Sequence, residues 1–456
     1  MKKIIILLST LIVVVLLLPL LGNKVVEENI QNQLLSLDSK GVAIKKAISK
    51  SGYLATSKHY EFFLKDSKLF VEHLNQFSNT QIPSYVNMLL DGMLIGVDVK
   101  YSNFLFFSDT EIDIYPLSLA KQTAQSLKKD DKEFYAYIDK FLKNKGLLYH
   151  INQNMSTKKF DGFIKDIKEE YTFPDSTITK LEVSGMTYNG QGSVFHPTLL
   201  NSKVDKMVLL STKKNEELEI SINDLESVST FKTQTTYETK IKLKNIKLKE
   251  SGLTSGYVDM NDVYFDLSAN TQKAKAEFYA KSSVKDLQIK SDKLNLTFSD
   301  FNYDLSLTDV DKDSFEELRI LLQKTKMGVS QDLQQQIEKT MAEMLSNGFT
   351  FTIKDISLSK ISLENSKNID GFSLNSVLNL KADANLVKNI NTSPAQLLKN
   401  VTLDAKLKIS KTLFEFITKQ VPATTLANSF AKIVDDNYVF DLKIKDSKMS
   451  INGKII

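Results

Sequence analysis

Four histidines, His59, His73, His150 and His196, are the side chains of this sequence best suited to acid–base or metal chemistry. No H-x-H or H-x-x-x-H pair occurs, so no single strand or helix presents two of them as ready-made metal ligands. A catalytic centre would have to be assembled from distant segments, and a hydrolase would draw on His150 or His196. Asp309, Asp311 and Asp313 in DVDKDSFEE have the alternate spacing of a calcium loop. Such a loop needs Gly at its sixth position and a bidentate Glu at its twelfth, and this chain has Ser314 and Ile320 there. A turn and a helix N-terminus, which negative charge stabilises, account for these acids more simply. No GxSxG, P-loop or dinucleotide fingerprint is present, and GQGSVFHP at 190–197 has too few glycines to cradle phosphate. The expected inventory is therefore no catalytic residue, no cofactor and no metal, which makes the chain non-enzymatic.

The other chemical candidate is KIKLKNIKLKE at 240–250, whose Lys240, Lys242, Lys244, Lys247 and Lys249 resemble a basic patch. The whole chain argues against nucleic acid as a partner. Its 59 basic and 55 acidic residues leave a formal charge of +4, and every base except Arg319 is Lys. The planar fork that reads phosphate or guanine bidentately is thus present once. The lysines alternate with Ile241 and Leu243, which is the pattern of a strand with one solvated face and one apolar face. Charged residues on such strands also discourage edge-to-edge association. The chain has no cysteine, which removes disulfides, thiolate metal sites and cysteine nucleophiles from consideration.

These residues must be held by elements that the hydropathy pattern outlines. The first 23 residues read as a membrane anchor. Lys2 and Lys3 precede IIILLSTLIVVVLLLPLL at 4–21, and its 18 residues are just long enough to span a bilayer. The exit, LLGNK, lacks the small-x-small pair of a cleavage site, which favours an uncleaved signal-anchor. The two lysines orient the N-terminus to the cytoplasm. The expectation is a single-pass protein of the inner membrane with the bulk of the chain in the periplasm.

Residues 24–145 read as an α+β region. A helix over 25–37 is followed by strands at VAIKKAI and YLATSKHYEFFLK, a mainly helical stretch over 66–90 broken at Pro83, a hairpin of MLIGVDVKYS and FFSDTEIDIYPL, and a polar helix over 119–144. From 146 to 456 the body is β-rich, with long alternating strands and a helical insert near 312–347. In that insert 314–326 and 330–347 are helical, and the second places Leu333, Ile337, Met341 and Met344 on one stripe suited to core filling. Helices are also expected at 413–419 and 424–434 around Pro422, before a final strand pair. The fold class is α+β and strand-dominated, with long antiparallel amphipathic sheets.

The alternation repeatedly changes phase. Ile241 and Leu243 share one parity and Ile246 and Leu248 the other, so a bulge or turn at Asn245 is needed to keep them on one face. The same shift recurs after Ile353, after Leu358 and after Ile444. An apolar sheet face of this length serves equally as one wall of a closed core or as an open groove.

The order of anchor, helix, GVAIKKAISKSGYLATSKHYEFFL, long strands, a two-helix insert before GFTFTIKDISL, and the closing NYVFDLKIKDSKMSINGKII resembles the YdgA-like proteins of Gram-negative bacteria, an uncharacterised inner-membrane-anchored periplasmic family. Ile451-Asn452-Gly453 resembles that family's terminal apolar-Asn-Gly signature. The resemblance implies location and architecture and brings no catalytic residues. A weaker likeness to AsmA-like envelope proteins implies a sheet with an apolar inner face that handles lipid. The function expected is that of a membrane-anchored envelope protein whose partners are the inner membrane, through residues 4–21, and a lipid or envelope protein. The rivals are a structural adaptor without ligand and a periplasmic hydrolase.

Overall fold

The computed structural model describes residues 37–51, 55–77, 82, 86–102, 109–154, 156–193, 196–233, 235–252, 255–292, 294–325, 330–363, 368–386, 398–421 and 427–456. The proposed anchor, residues 25–36 of the expected helix and the proline breaks at Pro83 and Pro422 lie outside them. Among the described residues no helix is long and apolar enough to cross a membrane. The chain divides into two compact units, residues 1–214 with 223–234 and residues 215–222 with 235–456. The change of character at 146 falls inside the first unit.

The sheet of the first unit is antiparallel throughout. Strands β1 (Val42–Ser51), β2 (Ala55–Leu64), β3 (Leu94–Ser102), β4 (Asp109–Pro116), β5 (Tyr149–Asn154) and β6 (Lys159–Ile164) pair in sequence order. β6 then pairs with β9 (Thr187–Gly192), and β7 (Ile167–Thr172) with β8 (Ile178–Ser184). Both β8 and β9 pair with β10 (Pro197–Lys213), so β6 with β7 and β8 with β9 act as two interrupted strands of one meander. One face is apolar because alternate residues are: Tyr60, Phe62 and Leu64, Ile95 and Val97, Ile112 and Ile114, and Tyr149 and Ile151 are all buried. Phe70, Val71 and Leu74 of α1 (Ser67–Phe77) and Val86 and Leu90 of α2 (Val86–Leu90) close this core. The helix expected over 119–144 is two helices, α3 (Lys121–Asp130) and α4 (Lys132–Lys143). Asp131 divides them because its carboxylate accepts from Phe134 N at 2.9 Å and so caps the second helix.

The second unit continues the same plan with longer strands. β12 (Thr236–Ser251), β13 (Gly256–Asn270), β14 (Lys275–Ser291), β15 (Leu294–Asp311), β16 (Phe349–Leu363), β17 (Ile369–Leu380), β18 (Val401–Ser410), β20 (Asn437–Lys445), β21 (Lys448–Ile451) and β22 (Lys454–Ile455) form an antiparallel series. β11 (Glu216–Thr233) is shared, its first residues belonging to the second unit and the rest to the first. Helices α5 (Lys312–Lys324) and α6 (Gln331–Ser346) follow β15, and α7 (Lys411–Gln420) follows β18. Asp311 caps α5 by accepting from Ser314 N at 3.1 Å and Ser314 Oγ at 2.8 Å, and this backbone bond holds its carboxyl below the usual range. The DVDKDS acids thus serve a helix start. Of the helix expected over 424–434, the described residues 427–430 form only a 3-10 turn. Lys432–Val434 forms strand β19, which pairs with β20 across a tight turn at Asp435, a residue of positive φ. The α6 stripe is only partly covered, since Leu333 is buried but Met341 is 44 % exposed.

Each phase shift in the sequence has its own structural cause. Between Ile353 and Ile356 the pairing with β17 slips by one residue, an ordinary bulge. After Ile444 the shift is a hairpin turn at Asp446 and Ser447, both of positive φ. The shift at Leu243–Ile246 belongs to a line that crosses the sheet. Leu243, Val263, Val284, Phe301, Leu358 and Phe372 form one cross-strand row. Ile246, Met260, Leu287, Phe298, Ile361 and Ile369, each three residues away, form the next apolar row. Between them Asp262 and Asp300 take positive φ inside their strands, a conformation that short polar side chains tolerate. Ile361 and Ile369 pack in one cluster with Phe372 and Ile409, so both rows lie on one face. The register does not slip at Asn245; its amide instead donates to Asp259 Oδ1 at 2.6 Å and Asn261 Oδ1 at 2.9 Å.

Two glycines report on this construction. At Gly371, on the same line, an added Cβ would lie 1.8 Å from the Leu358 carbonyl oxygen. Gly453, at φ +82 in the closing turn, has nothing within 4 Å. Beside it Asn452 ties the chain end together, accepting from Asp441 N at 2.9 Å and donating to Phe430 O at 2.7 Å and Val439 O at 2.8 Å. Chemical denaturation should therefore show Gly371→Ala losing roughly 3 kcal/mol or more, and Gly453→Ala only about 1 kcal/mol from the left-handed backbone. Equal losses would contradict the close approach at Gly371.

Candidate functional site

Opposite the core of the first unit, the polar face carries a single row across six strands. Ile48 of β1 pairs in register with His59 of β2, then Asp98 of β3, Asp113 of β4, His150 of β5 and Phe163 of β6. The pleat explains the selection, because each polar residue stands between neighbours that point into the core, as in Val97-Asp98-Val99 and Ile112-Asp113-Ile114. His59 Nδ1 lies 2.7 Å from Asp98 Oδ1, and His150 Nδ1 lies 2.7 Å from Asp113 Oδ1. Phe163 stacks on His150 with ring centroids 4.8 Å apart. The row forms the floor of a cavity of about 380 Å³, which Ser57, Lys100 and Glu111 of the next row also line.

Both rings are held at both nitrogens. His59 Nε2 faces Glu61 Oε1 at 3.3 Å, so carboxylates stand at both nitrogens. His150 Nε2 faces Asn152 Oδ1 at 3.0 Å, and that amide is oriented by its own donation to Asp161 Oδ2 at 3.1 Å. Each ring thus has an oxygen within hydrogen-bond reach of both nitrogens. The Tyr115 hydroxyl also lies 3.5 Å from His59 Nδ1.

Asp98 is the most heavily bonded member. Lys145 Nζ donates to its Oδ2 at 2.5 Å and the Tyr115 hydroxyl at 2.9 Å, and Lys145 also sits 4.2 Å from the Tyr115 ring centroid. Burial acts to raise the Asp98 carboxyl, but the bonds from Lys145, His59 and Tyr115 outweigh it and the net displacement is downward. Burial and then the Asp98 charge push the Tyr115 phenol well up, which keeps it a donor. Glu61 is held low chiefly by its bond from Lys46.

The structure thus gathers His59 and His150 into one row and leaves the other histidines apart. His73 lies half-buried on α1, and His196 is exposed in the turn before β10, its N–H donating to Ser193 O at 3.0 Å. Asp98, Asp113, Glu61 and Lys145 were not singled out by sequence reasoning, although an acid between two core-facing aliphatics was a visible signal. No group of three or more His, Asp or Glu among the described residues is placed to hold a metal ion.

The second unit offers a surface of opposite character. Its apolar rows run from Tyr237, Ala269, Phe278, Leu307, Phe351 and Leu378 at one end to Leu248, Val258, Ile289 and Leu296 at the other. Ile241, Phe351 and Leu442 fall on this one face through the registers of β12 to β20. Helices cover it in patches. Phe315 of α5 meets Phe278 at 4.5 Å, Leu345 of α6 packs near Leu378, and Leu413 and Phe414 of α7 pack on Ile369 and Ile409. Elsewhere Ile241, Met260, Leu287, Ile289, Phe298 and Leu305 are half-buried, and Leu248 is 44 % exposed. On the other face Lys247 pairs with Glu219 at 3.1 Å and Lys249 with Glu217 at 2.7 Å, so these lysines of 240–250 are engaged in ion pairs of the solvated side.

Long antiparallel strands with helices only at the connections make this a strand-dominated protein. The chain belongs to the bacterial family of unknown function DUF945, whose family model matches residues 168–456. No curated protein and no solved structure matches it. The match begins in β7, so the His59–His150 row precedes the matched span.

Because Asp98 is displaced downward on folding, it contributes stability above the carboxylate's unfolded value of about 3.9, and that contribution is lost as pH falls through the lower folded value. Asp98→Asn should lower the melting temperature at pH 7, and the gap to the unaltered protein should close below about pH 4. A gap that stays constant as pH falls would assign the loss to packing.

Proposed function

We propose that this protein is a non-enzymatic, membrane-anchored component of the bacterial envelope, held by residues 4–21 in the inner membrane with its body in the periplasm, and that the apolar face of its second unit receives lipid acyl chains. The reading joins the apolar N-terminal run and the YdgA-like resemblance to one observation, the half-buried apolar rows of β12 to β16. A closed core would bury these side chains as completely as the first unit buries Phe62, Ile114 and Ile151, at 6 %, 1 % and 1 % exposure. Six rows spaced two residues apart make a strip on the order of 30 Å long, about twice the depth of one bilayer leaflet. Each acyl methylene laid against it would gain about 0.8 kcal/mol. A structural adaptor is the second reading, favoured by the exposed Ile320, Leu322 and Met341 of α5 and α6, which suit a protein contact.

The full chain, extracted gently and analysed by mass spectrometry, should carry phospholipid in stoichiometric amount. Leu248→Asp with Ile289→Asp should abolish that lipid, whereas Thr297→Asp, on the opposite face of the same sheet, should retain it. A folded, lipid-free unaltered chain would reject the acyl reading and leave the adaptor.

A further inference from the structure

The cavity above the His59–Asp98–Asp113–His150 row has a donor and acceptor inventory that the apolar-face reading does not use. The four ring nitrogens are already spent on Asp98, Glu61, Asp113 and Asn152. What remains around the cavity is mixed. Among the described residues Asp113 Oδ2 receives no bond, Glu111 uses only Oε2, bonded to Lys100 at 3.1 Å, and the exposed Ser57 hydroxyl and Lys50 ammonium have no partner. The fixed charges lining this space balance, with Lys50, Lys58 and Lys100 against Asp98, Asp113 and Glu111. Such a lining gives little preference to a simple anion or a simple cation.

It suits a neutral ligand whose groups both donate and accept, and hydroxyls do both at one oxygen. Ile48, 42 % exposed at one end of the row, adds an apolar surface for C–H groups. The volume of about 380 Å³ lies within the range of small-molecule sites, roughly 300–1,000 Å³. The floor is also pre-organised, since every carboxylate and ring in the row is held from at least one side before any ligand arrives. From these features we infer that the cavity is a saccharide-binding site, in which Asp113 accepts from a sugar hydroxyl, Ser57 and Lys50 donate to others, and Ile48 lies against the ring. The inference concerns the first unit and stands or falls separately from lipid binding by the second.

The test is calorimetric titration of the full chain in detergent with cellobiose, maltose and chitobiose, and with inorganic phosphate and glycine as ionic and zwitterionic comparators. At least one disaccharide should bind in the millimolar range or tighter. Asp113→Asn should weaken it at least tenfold, and Ser57→Ala, an exposed position where the melting temperature should not change, should weaken it severalfold. Binding unaffected by both variants, no binding of any disaccharide, or phosphate or glycine binding that the two variants abolish would each overturn the inference.

Discussion

A β-strand points successive side chains to opposite faces, and nearly everything in this molecule follows from how the chain spends those two faces. In the first unit the apolar face is closed by α1 and α2, which leaves the other face free to hold charged groups in register. In the second unit the strands are longer and the helices are few, so the apolar face is covered only in patches. Apolar area that stays half-buried in a large sheet marks a contact surface.

Keeping that face continuous demands a device, because a strict period of two would turn half of each strand over. The line through Asp262, Asp300 and Gly371 supplies it, shifting six strands together so that the apolar rows on either side share one face. The shift is coherent across the sheet: the partner strands of Asp262 keep their register on both sides of it. The cost of left-handed aspartates and of a glycine with no room for a Cβ is accepted in exchange for one unbroken surface.

Much of this was legible in the sequence. Strand dominance, the positions of most elements and the amphipathic reading of KIKLKNIKLKE follow from alternation alone, and the failed calcium loop was correctly a helix start capped by Asp311. The phase shifts were visible too, but not their causes, since a bulge, a hairpin turn and a left-handed residue all displace the pattern by the same count. Asn245 drew attention by position, while the backbone change lay opposite it in Asp262. The His59–His150 row was hidden for a different reason: cross-strand register is set by pairing between segments whose paired residues in this row lie up to 39 positions apart, and no local spacing encodes it. The helix expected over 424–434 stops short among the described residues because Ile433 and Val434 were recruited into a strand by β20.

The central claim is that one face of the second unit meets lipid and the other meets water. The absence of cysteine makes this directly measurable, since a cysteine placed singly at Leu287 or at its neighbour Gln288 puts an environment-sensitive fluorophore on one face or the other. On addition of phospholipid to the full chain in detergent, the account predicts a blue shift at 287 and none at 288. Equal shifts at both positions, or none at either with the fold intact, would contradict it.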